Sequence, residues 1–370
     1  MEEFEEGDIA EEGSTLTRGW LLPRSQSLFL GILALFACVV AFGALRSVLM
    51  PLAFAWILTA MLAPLVRAMV SCRIPHALAV AISLVFLLIV FFEAGMLVNE
   101  LVSSFVAKYG TYSARITTLL KFFYAKLPPR AVEVLTAFDW QTRAGRIVMS
   151  LSSQIISLSS KVVLVLIFTA FMLAEQRGFG RKLVAAFPNA VASRISRVIG
   201  GITQQVSRYL LLQFLISAAT GLCVWIALWA IGVEFALTWG VLAFVLNFIP
   251  TIGSIVASIP PVIIALAQYA PDSYWPAIAT LVALLVIQMT IGNVISPRIM
   301  GDHLNLSPVA VLVSLLFWSW LWGPGGALLS VPVTAAIKIV CDNIQPLSPI
   351  GVLLGAGPRK RAKNREVARD

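Results

Sequence analysis

The stretch ALTWGVLAFVLNFIPTIGSIVASIPPVIIALAQ, residues 236–268, decides the fold, because it is too apolar for a soluble domain and too interrupted for one membrane helix. A single membrane span needs about 17–25 apolar residues, and this stretch is longer. The residues that interrupt it lie near its middle: Asn247, Pro250, Thr251, Gly253 and Ser254. Proline removes a backbone N–H and clashes with the preceding turn, so a break is expected there. Two structures remain open, a long kinked helix or two shorter helices folded as a hairpin.

A second long apolar segment, 307–341, carries a similar interruption. This interruption consists of Gly323, Pro324, Gly325 and Gly326, and Ser319 precedes it by one helical turn. When Gly253 is aligned with Gly325, a proline follows seven residues later in both segments, at Pro260 and Pro332, and both are predicted to be structural breaks. Paired broken helices are typical of secondary transporters, where their tips form the substrate site near the membrane midplane.

Backbone that is not helical must be buried in protein or line a wet cavity when it lies inside a membrane. The predicted solute-path residues are therefore Asn247, Pro250, Thr251, Gly253, Ser254, Gln288, Asn293, Ser319, Gly323, Pro324, Gly325 and Gly326. In the alternative interpretation, the side chains at the breaks only cap freed backbone groups, and the two amides at 288 and 293 join neighbouring helices. Glu93 and Lys338 are ionisable residues inside apolar segments, so they are candidates for coupling to an ion.

The composition is typical of an integral membrane protein. It has 370 residues, of which 59% are hydrophobic and 12% charged, and its mean hydropathy is +0.91. Soluble domains are about 25% charged. The apolar runs are continuous and do not alternate residue by residue, which argues against a β-barrel. We therefore predict an all-α polytopic membrane protein with about eight transmembrane segments, two of them interrupted in the C-terminal half.

The charge pattern and the apolar runs predict a domain order. It comprises 1–26, an acidic cytoplasmic tail; 27–98, three spans; 99–155, an extracellular amphipathic helical insert; 156–207, a fourth span and a cytoplasmic amphipathic helix; 208–341, a transport core with the broken segments 236–268 and 307–341; and 342–370, a basic cytoplasmic tail. The orientation follows from the Lys and Arg residues of the short loops, which favour the cytoplasm. The insert has seven Lys and Arg against three acids, but the rule loses force in loops of about 60 residues.

The sequence lacks the residues that several classes of function require. Its four cysteines are isolated and it has two histidines, so we expect no metal site and no cofactor. It contains no GxxxxGK[ST] motif, which argues against an ATP-driven pump. No apolar segment pairs two acids or presents a zinc-binding HExxH pattern, which argues against an intramembrane protease and any other enzyme. The net charge of +9 fits loops that face anionic membrane lipid better than it fits nucleic acid.

Three strings in the C-terminal half resemble the AI-2E family of transporters: NFIPTIGSIVASIPPV (247–262), NVISPRIMG (293–301) and LSPVAVLVSLLFWSWLWGPGGALLSVPV (306–333). The resemblance implies a multi-pass protein of the bacterial inner membrane with eight spans and cytoplasmic termini. It also implies transport. Some members are associated with export of autoinducer-2, others with Na⁺ or Li⁺/H⁺ exchange. A homo-oligomer, which could form a ring, is a further implication.

The sequence leaves three hypotheses for the function. The first is export of a small polar solute, with autoinducer-2 as a candidate, and the broken segments support it. The second is a Na⁺(Li⁺)/H⁺ antiporter, which needs titratable carboxylates near the midplane. The C-terminal spans offer only Glu234 and Asp272, both at their edges. The third is a membrane scaffold that transports nothing, which would not need polar breaks.

Overall fold

The computed structural model describes residues 24–124, 161–176, 178, 180, 182–250, 252–300 and 306–356. The elements are α1 (Arg24–Ala44), α2 (Arg46–Ser71), α3 (His76–Tyr124), α4 (161–176), α5 (Asn189–Ile231), α6 (Ala236–Leu246), α7 (Ile252–Tyr269), α8 (Trp275–Gln288), a π-helix (Met289–Ile295), α9 (Ser296–Met300), α10 (Pro308–Trp322), α11 (Pro324–Asn343), a 3₁₀ turn (Gln345–Leu347) and α12 (Ser348–Leu354). Six helices of the described part are long and apolar enough to cross a membrane. The predicted all-α polytopic fold is confirmed.

The chain divides into two compact units at Leu49 and Met50. The first contains α1 and the beginning of α2, joined by a turn at Leu45. The second contains the rest of α2 and every later helix, and all the features described below belong to it.

Two helices are much longer than the apolar runs from which they were predicted. The 49-residue α3 continues from the predicted third span into the predicted insert, and the 43-residue α5 joins the predicted amphipathic helix to the span that follows it. Neither helix contains a proline, and Pro75 and Pro188 stand immediately before them, where proline favours helix initiation. Insert residues 125–155 lie outside the described residues.

The first broken segment is a hairpin, which decides between the two structures left open by the sequence. We call α6 and α7 the first hairpin. The side chain of Gln268, near the end of α7, accepts a hydrogen bond from Glu234 N (3.0 Å) and donates one to Gly232 O (3.0 Å), just before α6. The chain therefore returns to its starting level, and the tip of the hairpin includes the turn at 247–250.

The second broken segment is also a hairpin, formed by α10 and α11 around Gly323. Its two limbs are joined by buried polar side chains: Ser314 donates to Ser330 O (3.0 Å), and Thr334 donates to Ser314 Oγ (2.7 Å). The turn depends on Gly323, whose φ of 65° is a backbone conformation that favours glycine. We call α10 and α11 the second hairpin.

The breaks predicted at Pro260 and Pro332 are not present. Pro260 lies inside α7 and Pro332 inside α11, and both helices continue past them. The fixed φ of proline is a helical φ, so within a helix proline removes one hydrogen bond and bends the axis without having to end the helix. The breaks occur instead at the glycine-containing turns, where the chain reverses direction.

The two hairpins enter the bundle from opposite ends. Arg67, Arg73, Arg194 and Arg197 mark what we call the basic end, where α2 finishes and α5 begins. The second hairpin has its base there, because Arg194 Nη2 donates to Asn343 O (2.7 Å). The first hairpin has its base at the other end, since it follows directly on the last residue of α5, Ile231.

The outer part of α3 holds the base of the first hairpin. Lys108 Nζ lies 2.6 Å from Glu234 Oε2, and Tyr112 donates a hydrogen bond to the same carboxylate. Arg115 Nη1 donates to Gln268 O at 2.6 Å. Partial burial acts to raise the pKa of Glu234, but the hydrogen bonds from Lys108 and Tyr112 and the nearby positive charges outweigh it, so that this pKa is lowered.

Glu234→Gln tests this contact through pH. A lowered carboxyl pKa contributes stability above the pKa of the unfolded state, about 4.3, and this contribution is lost as the pH falls through the folded value. We expect wild type to exceed Glu234→Gln in stability by roughly 1 kcal/mol or less at pH 7, because the pair is partly exposed. The difference in melting temperature should vanish near pH 3. An equal difference at pH 7 and pH 3 would contradict the role of the charge.

Candidate functional site

The tip of the first hairpin is bound to the middle of α5 by amide and hydroxyl groups. Gln213 Nε2 donates to Asn247 O (2.7 Å), and Asn247 Nδ2 donates to Ser217 Oγ (3.0 Å). Gln213 and Ser217 are both buried. Asn247 thus uses its backbone carbonyl and its side chain to fix the tip to one turn of α5.

The tip of the second hairpin lies against the beginning of α2. The methyl group of Met50 sits so close to Gly325 that a Cβ atom there would overlap it, and Phe54 is also in contact range. Ser319 is half-buried, and its carbonyl accepts a hydrogen bond from Gly323 N (2.8 Å). Pro324 begins α11, a position where the missing N–H of proline is not needed.

Helix geometry places both tips at one depth. Ser207 of α5 donates to Ala60 O of α2 (2.7 Å), which fixes the two helices against each other near the basic end. Ten residues further from that end, α5 reaches Ser217 and α2 reaches Met50, a rise of about 15 Å in each helix. Ser217 contacts the first tip and Met50 contacts the second. The tips therefore lie at about the same level, having entered from opposite ends.

The glycines that allow these turns are Gly253 and Gly326. A Cβ atom at Gly253 would overlap the carbonyl oxygen of Leu246, and one at Gly326 would overlap the carbonyl oxygen of Trp318. In each hairpin, the returning helix approaches the backbone of the first limb at a glycine. The structural counterpart of Gly253 is thus Gly326, one residue beyond the position chosen by the sequence alignment.

Neither tip carries an ionisable side chain. Residues 246–254 and 319–326 contain apolar, amide, hydroxyl, proline and glycine residues alone. Ser254 is half-buried, and its carbonyl accepts a hydrogen bond from Ser258 Oγ (2.8 Å). Pro250 is half-buried as well, whereas Thr251 lies outside the described residues. This environment can hydrogen-bond a neutral polar molecule, but it offers no charge to balance an ion.

Four other predicted residues lie apart from the tips. Gln288 and Asn293 belong to α8 and the π-helix that follows it, and Asn293 Nδ2 contacts Met289 Sδ at 3.1 Å; no hydrogen bond joins either amide to a tip within the described part of the chain. Glu93 is exposed on α3. Lys338 is buried in α11 and forms an ion pair with Asp342 one turn later (2.5 Å). The structure therefore gives Lys338 a local partner near the basic end.

Sequence reasoning missed Gln213 and Ser217. They are four residues apart, so they share one face of α5, within a segment that is otherwise strongly apolar. An intramembrane amide usually faces the interior of a helix bundle, and that signal was available. No group of three or more histidine, cysteine, aspartate or glutamate residues that could hold a metal ion occurs in the described part of the chain.

Comparison with known proteins agrees with this architecture. The profile described as "AI-2E family transporter" matches residues 30–345. The AI-2 transport protein TqsA of Escherichia coli K12 is 33% identical over 337 residues, which cover 88% of this chain and 94% of TqsA. A Haemophilus influenzae protein named as a candidate transport protein is 31% identical over 88% of this chain and 95% of its own. The E. coli K12 protein YhhT is 40% identical over 205 residues, which cover 55% of this chain and 57% of YhhT.

The family match extends over most of the chain and includes both hairpins. Members of the family are transporters and not enzymes, which agrees with the lack of catalytic motifs in the sequence. The chain belongs to the AI-2E family and is a multi-pass membrane transporter.

Proposed function

We propose that this transporter exports a small, uncharged polar solute across the bacterial inner membrane, with autoinducer-2 as the first candidate. The observation that carries the proposal is that the tip of the first hairpin, bound to Gln213 and Ser217, and the tip of the second, against Met50, lie at one depth after entering from opposite ends. Non-helical backbone at membrane depth is stable when it is buried in protein or lines a wet cavity. Along a route between the tips, the polar groups of the tips would form hydrogen bonds with the solute in place of those that it forms with water.

The direction of the hairpins follows from the charge of the loops. Short basic loops favour the cytoplasm, so the basic end is proposed to be cytoplasmic. The first hairpin then enters from outside and the second from the cytoplasm. The same orientation places the outer part of α3 and its contact with Glu234 on the external face. The homo-oligomer implied by the family resemblance stays a prediction.

The Na⁺(Li⁺)/H⁺ antiporter is less well supported. Exchange of a proton for a metal cation needs a titratable group that both ions reach. The two tips supply none, Lys338 is paired with Asp342, and Glu234 is held by Lys108. A relative whose name specifies AI-2 transport supports the solute hypothesis.

Flux from proteoliposomes tests the proposal. Vesicles that contain the full chain are loaded with synthetic autoinducer-2, or with neutral sugars of similar size, and efflux is followed with and without Na⁺ and pH gradients. We expect efflux of at least one of these solutes about tenfold above that of protein-free vesicles. Proton movement that depends on Na⁺ and needs no solute would establish the antiporter instead. No flux of any kind from correctly folded protein would favour the scaffold.

A further inference from the structure

A cleft at the basic end is separate from the hairpin tips. It has a volume of about 1170 Å³ and lies between α2, the beginning of α3, α4 and the first half of α5. None of the residues that line it belongs to either hairpin. The size is sufficient for a ligand, since pockets for small molecules typically measure about 300–1,000 Å³.

The cleft carries positive charge that the described residues do not compensate. Its basic residues are Arg67, His76 and Arg208, and none of them forms an ion pair or a hydrogen bond with another described residue. Its acidic residue, Glu175, is already paired with Lys182, whose Nζ lies 2.6 Å from Oε1. Among the described residues, two permanently charged guanidinium groups in this cleft therefore have no acidic partner.

Arg208 lies in the part of α5 that lines the cleft. Arg208 lies well inside the 43-residue α5, next to the Ser207 contact with Ala60. Its side chain is exposed and the apolar part of α5 begins directly after it, so the guanidinium can extend along the helix toward the basic end. Arg67 lies seven residues beyond Ala60 toward the basic end and Arg208 one residue beyond Ser207 away from it, so the two arginines are separated by about 12 Å along the bundle axis.

The rest of the cleft is amphipathic. Hydroxyl and amide donors are supplied by Ser196 and Gln204, whereas the Thr203 hydroxyl donates to Ile199 O (2.9 Å). Apolar side chains of α2, α4 and α5 (Trp56, Met172 and Leu211) complete the wall. Arginine recognises phosphate because its planar fork of N–H donors matches two phosphate oxygens. Basic pockets between transmembrane helices on the cytoplasmic side are a recurrent site for anionic lipid headgroups.

We propose that this cleft binds the phosphate of an anionic ligand, with Arg67 and Arg208 as its principal contacts and the apolar wall against the rest of the molecule. The phosphate could belong to the headgroup of an anionic phospholipid or to a free phosphate ester, which offer the same chemistry. The site is independent of the route between the tips, so its test does not depend on transport.

The test uses the purified full chain in neutral detergent and measures binding by native mass spectrometry. The probes are dioleoylphosphatidylglycerol, zwitterionic dioleoylphosphatidylcholine and water-soluble glycerol 3-phosphate. The variants are Arg67→Gln, Arg208→Gln and the double variant. Arg197→Gln is the matched control, because Arg197 is exposed on the same helix and does not line the cleft. Arg67→Lys with Arg208→Lys keeps the charge if the glutamine variants fold poorly.

We expect the wild type and Arg197→Gln to prefer phosphatidylglycerol over phosphatidylcholine. Each arginine removed should weaken that binding by about 5-fold, and both by about 30-fold, whereas the lysine variant should keep the preference. Arginine-dependent binding of glycerol 3-phosphate that is stronger than that of phosphatidylglycerol would identify a free phosphate ester as the ligand. The proposal is overturned if wild type binds both lipids equally, or if the double variant binds phosphatidylglycerol as strongly as Arg197→Gln does.

Discussion

Gly253→Ala and Gly326→Ala should each reduce transport at least tenfold and lower the free energy of unfolding by about 1–3 kcal/mol. The added methyl group would overlap the carbonyl oxygen of Leu246 in one hairpin and that of Trp318 in the other. A backbone carbonyl cannot move aside as a side chain can, so the returning helix must shift and the tip must leave its place beside α5 or α2. Solute efflux from proteoliposomes and thermal unfolding in detergent measure the two effects.

Two other glycines provide graded controls for this prediction. At Gly325 the new methyl group would meet the end of the flexible Met50 side chain, so Gly325→Ala should have a smaller effect. At Gly95, on α3, no heavy atom lies within 4 Å, and Gly95→Ala should be neutral or stabilise the helix by about 0.5–1 kcal/mol. The hairpin-tip site would be wrong if Gly253→Ala and Gly326→Ala transported as well as Gly95→Ala.

The sequence predicts most of this fold because its main determinant, the length of the apolar runs, is local. The interruption at Asn247–Gly253 and the Gly323–Gly326 cluster mark both breaks correctly, since proline and glycine act on the backbone next to them. The same reasoning overestimated Pro260 and Pro332, which the helices accommodate. It also set a boundary between residues 207 and 208, although α5 continues through it without a proline, because it followed hydropathy and not helix continuity.

The site is less predictable because it depends on contacts between distant segments. Nothing local pairs Asn247 with Gln213, 34 residues away, or Met50 with Gly325. The choice between a kinked span and a hairpin is likewise a matter of tertiary packing: Gln268 must reach back to Gly232 and Glu234. An apolar segment with a central break is compatible with either structure until those partners are known.

Gln213→Leu should remove most of the transport activity, because Gln213 is the side chain that donates to the backbone of the first tip. The substitution leaves Asn247 O without its donor, which lies 2.7 Å away in the wild type, and also removes the weaker contact with Ser217. An unsatisfied buried acceptor costs about 1–3 kcal/mol. We expect a loss of stability in this range, and a reduction of efflux by about tenfold or more, because the tip is no longer held at the depth of the second hairpin's tip.

Gln205→Leu is the matched control, since it makes the same change at an exposed position of the same helix, and it should retain wild-type efflux. Ser217→Ala separates fixing the tip from contacting the solute: it removes the acceptor of Asn247 Nδ2 but leaves the bond from Gln213 in place. If these groups also contact the solute, Ser217→Ala should raise the KM for efflux while the melting temperature changes little. Gln213→Leu with unchanged stability and flux would show that the tip is positioned by packing alone.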